Sequence, residues 1–124
     1  MVFQWDLSRR TRTRIGQAEL CLQIVKEKWG LDPERVIEEA KARRPSGTII
    51  VNRVLNVAYD LADVWHGLEL AHEAFGYDIN EMIETSEARR ADGWVDASRL
   101  KRWLVSLTNV IDELKEADNP QSVA

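Results

Sequence analysis

Asp60 and Asp63 are the side chains of this chain whose type and spacing speak most directly of chemistry. Three residues apart on a helix, they stand one above the other on the same face. Two carboxylates placed so can share a hard cation such as Mg²⁺, which takes oxygen ligands and keeps waters with which to meet a phosphate-bearing substrate. The competing reading is a solvated helix face, where charged residues ordinarily collect. Other reactive types are less organised. His66 and His72 do not fall on one face at a metal-ligand spacing and have no cysteine close by, so they read as surface or partly packed histidines. Arg9, Arg10, Arg12 and Arg14 could clamp a phosphate or a nucleic-acid backbone, or could simply be solvated. Ser98, Ser106 and Thr108 have no base within readable reach, and Gly47 stands alone after Pro45-Ser46 rather than in a glycine-rich phosphate loop.

These residues need elements to position them, and the apolar spacing is helical throughout. Ile15, Ala18, Leu22, Ile24, Val25 and Trp29 recur at threes and fours, and Gly30 ends that helix. Asp32-Pro33 restarts the chain as a cap and first-turn proline, with Val36, Ile37 and Ala40 lining a short second helix that stops before Pro45. A long third helix is expected from about Thr48 to Phe75, about 40 Å at 1.5 Å per residue. Its apolar stripe is Val51, Val54, Leu55, Ala58, Leu61, Ala62, Trp65 and Leu68; Arg53, Asn56, Asp60, Asp63 and Gly67 lie opposite. Asp78 caps a fourth helix with Glu81 completing a capping box, and Asp92-Gly93 breaks it. A fifth helix opens at Asp96, with Val95 and Leu100 placed as a hydrophobic staple and Leu104, Leu107, Val110, Ile111 and Leu114 as its stripe.

The expected fold is therefore all-α: a bundle of four to five amphipathic helices with one long central helix, in a single domain over 1–118 with a frayed tail over 119–124. No strand, internal repeat or linker is read. The one cysteine, Cys21, sits in an apolar stripe, cannot form an internal disulfide and reads as a buried thiol. No run approaches the ~20 apolar residues of a membrane span, and the N-terminus lacks an apolar signal core, which points to an intracellular, cytoplasmic protein with no membrane partner. A net charge of −4 with 31% charged residues disfavours a general nucleic-acid binder. Five tryptophans suggest that some lie in a subunit interface, and Ile50, Val57 and Val64 flanking the main stripe of the long helix point the same way, to a homodimer or larger assembly.

The stretch from Ala58 to Trp94, AYDLADVWHGLELAHEAFGYDINEMIETSEARRADGW, resembles the second half of the MazG-like all-α nucleoside triphosphate pyrophosphohydrolases. In that family a helix bearing Glu-x-x-Asp runs through an apolar stretch to a Gly-Ile/Tyr-Asp turn and a helix ending in basic residues and glycine. Asp60 takes the place of the family's Glu and Asp63 that of its Asp; Gly76-Tyr77-Asp78 is the turn, and Arg89 or Arg90 the basic end. The family's upstream Glu-Glu-x-x-Glu is matched by Glu38-Glu39, but its third acid falls on Ala42, with Glu34 one turn earlier as a substitute in a shifted register. The match covers about a third of the chain.

The resemblance implies a MazG-like fold and a homo-oligomer. It further implies a metal set of Glu38, Glu39, Asp60 and Asp63 holding Mg²⁺ and acting in catalysis, with Arg89 and Arg90 binding the phosphates of a nucleotide substrate cleaved to monophosphate and pyrophosphate. The alternative is a non-catalytic helical module of related fold that dimerises or binds a protein partner. Convergence of the four carboxylates in space would separate the two.

Overall fold

Five helices carry the chain: α1 (Arg12–Trp29), α2 (Pro33–Glu39), α3 (Val51–Phe75), α4 (Ile79–Ser86) and α5 (Ala97–Asp118). The computed structural model describes residues 3–7 and 12–118, so the 119–124 tail and Arg9 and Arg10 lie outside the described residues. The architecture is all-α, with no strand among the described residues and three isolated β-bridges. No described helix is long and apolar enough to cross a membrane. The helices fall into two compact units, 1–65 and 66–124.

The bridges expose a feature that the sequence reading missed. Arg43 bridges Ile49 in the first unit, and Arg89 bridges Val95 in the second, 46 positions further on. At this offset the chain repeats itself: Gly30, Asp32, Ile37, Glu38, Ala42, Arg43, Arg44, Gly47 and Arg53 recur as Gly76, Asp78, Ile83, Glu84, Ala88, Arg89, Arg90, Gly93 and Arg99. The backbone repeats with it. In the first copy Arg44 N–H donates to Thr48 and Ile50 N–H to Ala42; in the second Arg90 N–H donates to Trp94 and Asp96 N–H to Ala88. Gly47 (φ +95°) and Gly93 (φ +88°) turn the tight loop in a left-handed conformation that a side chain would strain. Lys41 (φ 52°) and Glu87 (φ 57°) adopt the left-handed region just after the short helix in each copy. The expectation of no internal repeat is thus corrected: each unit holds one copy of a short helix followed by an arginine-bearing hairpin.

The repeat explains several local choices. Ala42 and Ala88 are fully enclosed where the hairpin folds back, so only a small side chain fits there. Arg53 Nη1 donates to the Lys41 carbonyl, and Arg99 Nε to the Ser86 carbonyl, so in each copy the next long helix satisfies a carbonyl at the short helix's end. The copies are not identical. Asp78 caps α4 by accepting from Glu81 N–H at 3.0 Å, whereas Asp32 stands at the N-cap of α2 without a side-chain capping bond, Pro33 following it. Among the described residues it is the first copy that pairs with the N-terminal segment: Ile49 N–H donates to Gln4, and Asp6 N–H to Ile49. In both copies the long helix begins at the same repeat position, Val51 and Ala97, just after the residue whose N–H closes the hairpin onto Ala42 or Ala88, so α3 starts at Val51 rather than at Thr48.

In the first unit Ala18, Cys21, Leu22 and Val25 of α1 are buried with Val36 and Ile37 of α2 and Val51, Val54, Ala58 and Leu61 of α3. Trp29 stands edge-on to Trp65 with ring centroids 5.0 Å apart, and its Nε1 donates to the Leu61 carbonyl at 2.9 Å. In the second unit Leu68, Met82, Ile83, Trp94, Val95 and Leu100 are buried. None of the five tryptophans is exposed; Trp103, half-buried, lies on the α5 stripe.

Candidate functional site

Glu38 and Glu39 close α2, the first exposed and the second half-buried; Asp60 is exposed and Asp63 half-buried one turn further along α3. Among the described residues no three His, Cys, Asp or Glu side chains gather as a metal site requires. The four carboxylates therefore do not form one ligand set. The position of the missing third acid is the enclosed Ala42, where a carboxylate would have no room. Glu34, the shifted-register substitute, is held by both Nη2 contacts of Arg43 at 2.8 Å.

Arg89 and Arg90 are exposed on the second hairpin. Arg89 pairs with Glu84 at 3.5 Å, and Arg90 is forked onto Asp92 through Nε and Nη2. Their counterparts in the first copy behave alike, Arg43 on Glu34 and Arg44 on Asp6 at 3.1 Å. A double arginine thus recurs in both copies, each arginine paired with an acid of its own unit. Glu38 recurs as Glu84, the acid that pairs with Arg89, whereas in the first copy Arg43 pairs with Glu34. Asp60 and Asp63 do not recur: the corresponding residues of the first copy are Arg14 and Gln17.

Asp60 also lines a cleft of about 650 Å³ in the first unit, with Gln17, Leu20, Cys21, Leu55, Asn56 and Tyr59. Leu20 and Tyr59 leave their side chains largely exposed there, and Cys21 is buried, which pushes its thiol pKa up. His66 and His72 are exposed, and His72 Nδ1 lies 2.7 Å from the Tyr77 carbonyl.

The least expected feature is α5. Its stripe of Leu104, Leu107, Val110, Ile111 and Leu114, read from sequence as core, is not enclosed: Leu104, Leu107 and Ile111 are half-buried, and Val110 and Leu114 are 52% and 60% exposed. The repeat shows what is unusual. Leu22 of α1 corresponds to Leu68 of α3 and Leu114 of α5, and Ala18 to Val64 and Val110. The first two members of each set are buried and the third is open. Trp103 and Leu107 line a small cleft of about 190 Å³ with Tyr77, Asp78, Glu81, Met82 and Thr85 at the start of this stripe. Periodicity marks which side of a helix is apolar and leaves open whether that side has a cover; the 46-residue offset was the signal that could have located this surface.

No family model matches the chain, and neither does any curated protein or solved structure.

Proposed function

We propose that this chain is a non-catalytic helical interaction module whose working surface is the apolar stripe of α5. The observation that supports it is the exposure of Val110 and Leu114 at positions whose equivalents in α1 and α3 are buried. A contiguous apolar strip left open on a small domain is characteristic of a surface that another chain covers. The rest of the chain supplies the platform: the arginines of both hairpins are paired with acids of their own unit, and α4 packs beside α5. A single cysteine and a mixed, mildly acidic surface fit a cytoplasmic setting.

A second reading keeps the MazG-like resemblance: a Mg²⁺-dependent pyrophosphohydrolase acting on a nucleoside triphosphate. The observation that favours it is that Asp60 and Asp63, with Glu39, have no acidic counterpart at the 46-residue offset, where Arg14, Gln17 and Thr85 stand, and that Asp60 borders a cleft. In that reading Asp60 and Asp63, without Glu38 and Glu39, would hold the cation, which would lower the pKa of a bound water. One experiment separates the two. The interaction module predicts that millimolar Mg²⁺ leaves the melting temperature unchanged and that no pyrophosphate is released from common nucleoside triphosphates. A Mg²⁺-dependent rise in melting temperature that Asp63→Asn abolishes, together with pyrophosphate release, would replace the module by the enzyme.

A further inference from the structure

We propose that the cleft between α1 and the first half of α3 binds a small organic cation, an apolar or aromatic body that carries one protonated amine. The site lies within the first unit and does not depend on the α5 surface. At about 650 Å³ the cleft has the size of a small-molecule site. Leu20, Leu55 and the Tyr59 ring give it an apolar wall, Gln17 and Asn56 supply amides, and Asp60 is the one charged residue of the lining. Leu20 and Tyr59 are largely exposed, so this wall faces solvent instead of joining the core.

The repeat separates what the fold requires from what it does not. At the 46-residue offset Leu20, Leu55, Tyr59 and Asp60 are replaced by His66, Lys101, Val105 and Ser106. Core positions keep their type across the same offset, as Leu22 and Leu68 or Ile37 and Ile83 do. Cys21, at the cleft, gives way to Gly67, where an added Cβ would meet Leu104 Cδ1 at 3.3 Å. The second unit thus builds its pair of long helices without an exposed leucine, an aromatic ring or a carboxylate at these places. In the first unit all three converge on one cleft.

Charge selects the ligand. Among the described residues no hydrogen bond or ion pair engages Asp60. Arg14, one turn before Gln17 on α1, is held by Asn52 Oδ1 at 2.9 Å and is not part of the lining. An ammonium group therefore finds a carboxylate, amide oxygens that accept its N–H bonds, and an aromatic face that attracts positive charge. An anion would meet Asp60 with nothing in the lining to offset it. The apolar wall takes the body of the ligand.

The test uses the full chain and three probes of one shape, phenethylammonium, 2-phenylethanol and 3-phenylpropionate, titrated at neutral pH while amide chemical shifts are followed. Phenethylammonium should move the amides of Gln17, Leu20, Asn56, Tyr59 and Asp60 with a Kd of about 1 mM, the range open to a ligand of so few atoms. The alcohol should bind about five-fold more weakly, the modest gain expected of an ion pair at an exposed carboxylate, and the propionate should not bind. Asp60→Asn should bring the ammonium down to the affinity of the alcohol, and Tyr59→Val, the residue of the second copy, should weaken both. Asp60→Ser, likewise taken from the second copy, replaces Asp60→Asn should that variant lose helical circular dichroism. Equal affinities for ammonium and alcohol, or undiminished ammonium binding by the Asp60 variant, would overturn the proposal. Absence of binding, or shifts confined to Val110 and Leu114, would overturn it too and leave the interaction-module reading standing.

Discussion

Leu68→Ala is expected to lower folding stability by about 2–5 kcal/mol, and Leu22→Ala by a similar amount, while Leu114→Ala costs less than about 1 kcal/mol in dilute solution. The three leucines occupy one position of the 46-residue repeat. Leu22 and Leu68 are 2% and 0% exposed, so truncation removes buried methyl groups and leaves a cavity that close-packed neighbours only partly fill. Leu114, 60% exposed, has little burial to lose. Urea denaturation followed by circular dichroism measures all three. Equal losses at the three sites would mean that α5 is covered within its own chain and that its stripe is core after all.

Cys21 provides the second large effect. Its side chain is buried between the first-unit helices, and burial raises the thiol pKa because the thiolate would lose its hydration. Both circumstances suppress alkylation, which needs an accessible thiolate. At pH 8 the folded chain should react with iodoacetamide at least ~100-fold more slowly than the urea-unfolded chain, the reaction passing through local opening. The linked effect on stability has a definite sign. A thiol pKa higher in the folded state favours the folded protein fully below the unfolded thiol's range, near about 8.5, and that contribution is lost as pH rises through the folded value. Comparable alkylation rates for folded and unfolded chain would place Cys21 on the surface, and the cleft it shares with Asp60 would then be a reactive site.

Helix types and most boundaries were legible because they rest on local chemistry. Gly30 and Gly76 stop helices, Asp78 caps one, and the threes and fours of Leu22, Val54 or Leu61 mark the buried side. The repeat escaped that reading because apolar spacing is much the same in every amphipathic helix and does not register identity at a fixed offset, even where Leu22 recurs as Leu68 and Ile37 as Ile83. The distinctive part of the repeat is turn chemistry, Gly-x-Asp and Arg-Arg-x-x-Gly, which a search for amphipathic faces passes over. The MazG-like resemblance is drawn partly on these same residues, and Gly76-x-Asp78 and Arg89-Arg90 each have a twin in the first copy. In both units the arginines of that motif pair with acids of the same unit. Carboxylate placement was the illegible part, since Glu38 and Asp60 sit on different helices and spacing along the chain carries no information about distance between them.

The central claim is that the apolar stripe of α5 is an open surface made to be covered by another chain. It is tested most directly by comparing the native chain with Val110→Glu/Leu114→Glu at about 1 µM, where association is weakest, in the presence of an apolar fluorescent dye. The native chain should bind the dye with bright, blue-shifted emission. The double variant should lose most of that signal while keeping its helical circular dichroism and melting within about 1 kcal/mol of native stability, because both sites are more than half exposed. A native chain that leaves the dye dark, or a double variant that unfolds, would contradict the account, since either result would mean that Val110 and Leu114 are already enclosed.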